Sequence, residues 1–211
     1  MAGHLLKKGG HDVTVYNRSA AKSAQWATEY GGKSAATPRE AAQGAELVAM
    51  CVGNDDDVRA VVYGDNGALA GMKNGAILVD HTTASAIVAR EVHAKAKEMG
   101  VGFIDAPVSG GQAGAVNGQL GIMCGGDEEV FAKAKPILDL YAKSCVLIGA
   151  PGAGQLTKMV NQIVIAGLLQ SLAEGLNFGK RSGLDIEKVI AVISKGAAQS
   201  WQMDNRWKQM N

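Results

Sequence analysis

The sequence predicts an α/β fold, a doubly wound sheet lacking its first strand and glycine loop, followed by a long helix and part of an all-helical region. Three observations predict it. Short β-type runs alternate with helical stretches from Val13 to about residue 149, the pattern of βαβ units around a parallel sheet. Beyond Gly149 the alternation stops, and Leu156, Met159, Val160, Ile163, Val164, Leu168, Leu169, Leu172 and Leu176 recur at helical spacing without a proline. The chain also opens in mid-pattern, because residues 2–9 read as the tail of a helix with no strand before it. The expected domains are 1–151, a sheet domain incomplete at its N-terminus, and 152–211, an incomplete helical domain.

In order, Gly9-Gly10 ends the first helix, and the alternating Val13-Thr14-Val15-Tyr16 makes a strand. A helix over 20–30 and a weak one at 38–43 opened by Pro38 come next. Strands at 47–52, 76–80 and 103–106 alternate with helices at 55–63 and 85–99. Strands 119–124 and 145–148 flank a helix over 128–142 and extend the sheet, with room for antiparallel members. Crossovers between parallel strands are right-handed, and the ligand crevice of such a sheet lies at its carboxyl ends. Functional residues should therefore stand just after strands. Helices near 153–182, 186–195 and 198–210 complete the chain, the first stopping at Gly183 behind Lys180 and Arg181. A helix of roughly 28 residues is about 42 Å long, enough to join two domains.

Composition narrows the function classes. With 21 basic and 20 acidic residues among 211 and no basic stripe, nucleic acid is not an expected partner. Cys51, Cys124 and Cys145 are scattered within apolar runs, as small buried hydrophobes in a reducing cytoplasm would be. His4, His11, His81 and His93 are too dispersed for a metal site. There is no uninterrupted run of about 18 apolar residues and no signal-peptide cleavage site, so no membrane partner is expected.

Several stretches could carry chemistry. Asn17-Arg18-Ser19 follows the first strand, where a dinucleotide-binding sheet places an acid for a ribose 2′-hydroxyl or an arginine for the 2′-phosphate of NADP. Here the acid is absent and the arginine present; alternatively Arg18 is solvated and Ser19 caps the next helix. The fingerprint G-x-G-x-x-G is missing, and Met1-Ala2-Gly3-His4 looks like the middle of the helix it would open. The first strand and pyrophosphate cradle are therefore expected upstream, in a fragment or a mis-assigned start. The chain as it stands is then expected to bind dinucleotide poorly, and micromolar NADPH binding would contradict this.

Asp55-Asp56-Asp57 reads as a helix opening rather than a magnesium site. Asp80-His81-Thr82-Thr83-Ala84-Ser85 follows another strand, where Thr83 could reach a nicotinamide ribose, or Thr83 or Ser85 could cap a helix. In Asp105-Ala106-Pro107-Val108-Ser109-Gly110-Gly111, glycines free backbone amides to turn toward a small anion and Ser109 adds a hydroxyl. A carboxylate suits that concavity, although the stretch also reads as a tight turn into a strand. Lys158 and Asn161, at i and i+3, project to the same side of the long helix behind a glycine-rich entry. The run Gly149 to Gly154 is not a phosphate loop, because Gln155 stands where Gly-Lys-Ser/Thr must continue.

The DAPVSGG stretch, together with Gly149, Gly152, Gly154, Lys158 and Asn161 in G-x-x-G-x-G-x-x-x-K-x-x-N, resembles the β-hydroxyacid dehydrogenase family, typified by 3-hydroxyisobutyrate dehydrogenase. VTVYNRS, CVGNDDDVR and DHTTAS are similar to the corresponding segments. The resemblance implies a Rossmann-like dinucleotide-binding domain, with Ser109, Gly110 and Gly111 binding the substrate carboxylate region. It further implies Lys158 as the catalytic residue and Asn161 as positioning substrate or lysine. Asn17, Arg18, Ser19, Val52 and Thr83 fall on the cofactor side. The family's glycine fingerprint would stand before Met1 and its final helices after Asn211.

The implied reaction is hydride transfer between nicotinamide and a small hydroxy carboxylic acid or semialdehyde, with lysine as general acid and base. Arg18 leans the cofactor toward NADP over NAD, which comparison of kcat/KM for NADPH and NADH decides. Substrate candidates are 3-hydroxyisobutyrate, D-glycerate with tartronate semialdehyde, 4-hydroxybutyrate, glyoxylate and serine. A homo-dimer or homo-tetramer is expected, since the apolar helix around 163–176 needs cover. The alternative is a non-catalytic dehydrogenase-like oligomerisation or binding module.

Overall fold

A computed structural model describes residues 1–210 and divides the chain into two compact units, Met1–Lys158 and Met159–Asn211. The first unit opens with α1 (Ala2–Lys7), β1 (Thr14–Val15), α2 (Ala20–Tyr30), β2 (Lys33–Ser34) and α3 (Pro38–Ala42). It continues through β3 (Leu47–Met50), α4 (Asp55–Val62), α5 (Ala68–Gly71), β4 (Ile77–Asp80), α6 (Ala86–Glu98) and β5 (Gly102–Asp105). It closes with β6 (Val108–Ser109), α7 (Gly111–Asn117), β7 (Leu120–Gly126), α8 (Glu128–Leu138), β8 (Ala142–Gly149) and the first turns of α9 (Ala153–Arg181).

Strands β3, β4 and β5 pair in parallel, and their register sets Met50 beside Asp80 and Asp80 beside Asp105. Strand β7 joins antiparallel to both β5 and β6, while β8 pairs with β7 in parallel. The sheet is therefore mixed, as expected of a sheet with antiparallel members. Strands β1 and β2 form a separate parallel pair.

Period-2 alternation explains why helices cover both faces of the sheet. Leu78 and Phe103 point to a core shared with Val58, Val62, Val88 and Val92 of α4 and α6. Their strand neighbours Val79 and Ile104 point to the opposite core, with Leu120, Leu138 and Tyr141. All four residues of β4 are buried, which is why it reads as a continuous apolar run rather than an alternating one. Helix starts follow local chemistry. The side chains of Thr37, Asn54 and Ser85 accept from the backbone N–H groups of Glu40, Asp57 and Val88, opening α3, α4 and α6.

Three differences from the sequence reading bear on function. The stretch after Asp105 is not a simple turn into a strand but strand β6 followed by helix α7. Helix α8 stops at Leu138, short of the expected 142, because Tyr141 turns fully into the core and β8 already begins at Ala142. Short elements β2 and α5 lie in stretches that carry no periodic signal.

The second unit consists of the remainder of α9, α10 (Ile186–Ile193) and α11 (Trp201–Met210). Its core is Leu172, Leu176, Ile186, Ile190 and Met203. Asp185 caps α10 by accepting from the Lys188 amide. Among the described residues α9 alone is long and apolar enough to cross a membrane by length and composition, with a mean hydropathy of 1.2 over its most apolar window.

Candidate active site

Lys158 is the sixth residue of α9 and is 8% exposed. The Lys158 ammonium donates to the carbonyl oxygen of Val108 at 2.9 Å. Ser109, the next residue, stands at the end of β6 opposite Gly121. The structure thus brings Lys158 to the strand that carries Ser109. Burial pushes the Lys158 pKa below the ordinary lysine value, since desolvation penalises the charged form. Gly110 and Gly111 follow at φ 130° and 60°, a region that side chains disfavour, so glycine is a backbone requirement here. Asn161 belongs to the second unit, where its amide donates to Gln162 Oε1 at 3.0 Å.

The entry to α9 is built from buried polar groups. Asp105, at the end of β5 and 0% exposed, accepts the Gly152 amide at 2.7 Å and the Gln155 amide at 2.9 Å. Burial raises its pKa, and these amide bonds oppose the rise by favouring the ionised form. The Gln155 side chain donates to the Thr82 carbonyl at 2.7 Å and accepts from the Ala84 amide at 3.0 Å. It brackets Thr83, which is exposed. Ser85 is the residue that caps α6, so capping leaves Thr83 uncommitted. Thr82 in turn accepts from the Val52 amide at 3.0 Å, which joins the ends of β3 and β4.

Beneath this layer, His81 is fully buried. Its pKa is pushed down to about 4 by desolvation, so the ring is neutral at pH 7. A neutral imidazole has one donor and one acceptor. Nδ1–H donates to the Ala106 carbonyl at 2.7 Å, and Nε2 accepts from the Tyr141 hydroxyl at 2.8 Å.

On the cofactor side, Arg18 is 90% exposed after β1 and pairs at 3.5 Å with Asp57. Ser19 stands at the N-cap of α2, but its hydroxyl makes no cap; its amide instead donates to Asn17 Oδ1 at 2.9 Å. The other acids at the start of α4 have partners of their own. Asp55 accepts from Ser85, and Asp56 lies 3.4 Å from Arg59. Among the described residues no strand and glycine loop precede α1.

Residues 1–149 match the family described as the NAD binding domain of 6-phosphogluconate dehydrogenase. Residues 152–211 match the one described as NAD-binding of NADP-dependent 3-hydroxyisobutyrate dehydrogenase. The chain belongs to the β-hydroxyacid dehydrogenase family. As a member, it has an NAD(P)-binding Rossmann-like domain and is an oxidoreductase by family. It is 63% identical over 210 residues to an uncharacterized oxidoreductase of Shewanella frigidimarina, covering 100% of this chain and 72% of that protein. It is 41% identical to probable 3-hydroxyisobutyrate dehydrogenase-like 1, mitochondrial, of Arabidopsis thaliana, covering 97% of this chain and 60% of that one. Among solved structures, Mycobacterium tuberculosis 3-hydroxyisobutyrate dehydrogenase with L-serine superposes with a TM-score of 0.88 at 30% identity, over 98% of this chain and 69% of that one.

Within this family member, sequence reasoning singled out Lys158, Ser109 and Thr83 but missed the groups that hold their surroundings together. Asp105 was visible only as the first letter of its glycine-rich motif, and Gln155 only as a departure from a phosphate loop. For His81 and Tyr141, 60 residues apart, no local spacing signals the contact.

Proposed function

We propose that this chain carries the hydride-transfer site of an NAD(P)-dependent dehydrogenase acting on a small hydroxy carboxylic acid or its semialdehyde. The observation that carries the reading is the buried Lys158 ammonium on the Val108 carbonyl, beside Ser109. A bound nicotinamide would supply or accept the hydride. Arg18, Asn17 and Ser19 after β1, Val52 after β3 and Thr83 after β4 fit its cofactor, because all stand at carboxyl ends of strands and Arg18 and Thr83 are exposed. Arg18 favours the 2′-phosphate of NADP by a charge-assisted contact.

In the reducing direction the Lys158 ammonium gives its proton to the forming alkoxide; in the oxidising direction neutral Lys158 takes the hydroxyl proton. Desolvation supports both roles. It strengthens the donor's field at a developing oxyanion, and it favours the neutral amine more than an exposed site would. Ser109, Gly110 and Gly111 would hold the substrate carboxylate, with Asn161 orienting the substrate or the lysine. 3-Hydroxyisobutyrate leads the candidates, because a relative and the superposing structure are named for that activity. The superposing structure's L-serine is the same size of carboxylate.

The pH profile tests this reading. In the oxidising direction kcat should rise through one ionisation lying below the ordinary lysine value, since Lys158 must be neutral. A kcat flat across that range would count against lysine as base. We also infer a homo-dimer or homo-tetramer, supported by the apolar positions Val160, Ile163 and Val164 left open to solvent on α9.

A further inference from the structure

We propose that Asp105 is a positioning residue: its carboxylate receives the Gly152 amide just before α9 and the Gln155 amide in the first turn of α9, and so sets where Lys158 stands against the strand bearing Ser109. The inference deepens the proposed function and rests on it for the catalytic role of Lys158.

A helix start leaves its first N–H groups without partners, and a side chain at the N-cap is the usual acceptor. In α9 the acceptor comes instead from a different strand. Asp105 Oδ1 takes the Gly152 amide and Oδ2 takes the Gln155 amide, both bonds fully buried. A carboxylate at this end also complements the positive end of the helix dipole.

Glycines make room for the seat. A Cβ at Gly154 would strike the Met123 carbonyl and lie 2.6 Å from the Asp105 carbonyl oxygen and 2.8 Å from Asp105 Oδ2. One at Gly125 would lie 2.6 Å from Asp105 Oδ1 and 2.8 Å from the Ala153 and Gly154 amides. Strand β7 and helix α9 therefore both lack a side chain where this carboxylate meets backbone.

Two short paths then lead from this seat to one contact. From Asp105 three residues lead to Val108, whose carbonyl accepts from Lys158. From Gln155 three residues, about one helical turn, lead to Lys158 itself. The carboxylate thus fixes both ends of the Lys158 to Val108 hydrogen bond. The Gln155 side chain carries the same turn on to the Thr82 carbonyl and the Ala84 amide around Thr83.

The test reads Lys158 directly and needs no turnover. Lysines are reductively methylated with 13C-formaldehyde and titrated by NMR, the Lys158 signal being assigned by its loss in Lys158→Arg. In Asp105→Asn an NH2 group replaces one acceptor and faces an amide donor. Asp105→Ser is milder and keeps one acceptor. In either folded variant the Lys158 titration should move up toward those of the surface lysines, which stay unchanged. A folded variant whose Lys158 titrates as in the wild type overturns the proposal.

Amide exchange of the wild type supplies an arm that does not depend on the variants folding. The Gly152 and Gln155 amides should exchange at least about 100-fold more slowly than unprotected amides, and unprotected rates there would overturn the proposal. Loss of the catalytic reading would show separately, as a Lys158→Ala enzyme that keeps its turnover while the Asp105 variants still shift Lys158.

Discussion

Asp80 and His81 are adjacent buried groups whose titrations oppose each other. Burial pushes the Asp80 carboxyl up to about 6, and one of its oxygens has no partner. Burial pushes His81 down to about 4. Between the ordinary aspartate value and pH 6 the folded state holds more protons at Asp80 than the unfolded state does, so this group favours folding as pH falls. Between pH 6.5 and 4 the unfolded state holds more protons at His81, so that group disfavours folding as pH falls. Each shift corresponds to about 3 kcal/mol. The two contributions largely cancel across this window. Asp80→Asn should unmask His81, with urea-unfolding stability falling by about 2–3 kcal/mol from pH 6.5 to 4; a variant whose stability does not fall over that range would remove His81 as a buried neutral group. Sequence could reveal Lys158 because it is a lone cation in an apolar helical stripe. Asp105, Gln155 and His81 were not legible in that way, because the partners that give them meaning lie 25 to 73 residues away.

At the level of elements, the long periodic segments were the readable ones. Helix α9 and strands β3, β4 and β5 announce themselves by apolar spacing that tertiary packing then uses. The segment from Val108 to Gly118 did not, because glycine and alanine supply no periodic apolar face. Its helix α7 is closed by Gly118 at φ 64°, a stop signal available in the sequence. The seat between β7 and the start of α9 makes a testable demand on shape. Gly154→Ala should cost about 1–3 kcal/mol of stability or more, as overpacking against backbone does. Equilibrium urea denaturation checks this, and an unchanged midpoint would mean that β7 and α9 approach less closely than described.

For the whole molecule, the family and the layered sheet follow from motifs spread along the chain, while substrate choice and assembly do not. The sheet unit has its cores on both faces. The helical unit is smaller and leaves large apolar side chains exposed, Ile163 at 73% among them. Ile163→Glu should therefore leave the fold intact and lower the association state seen by sedimentation velocity, and an unchanged distribution would place any subunit contact elsewhere. The role of Lys158 is decided by turnover of Lys158→Ala, made in a protein that spans the full length of its relatives, with NADPH or NADH and a small semialdehyde. In that variant kcat should fall by about 10²–10⁴-fold with the fold retained. A variant retaining more than about a tenth of wild-type kcat would contradict it.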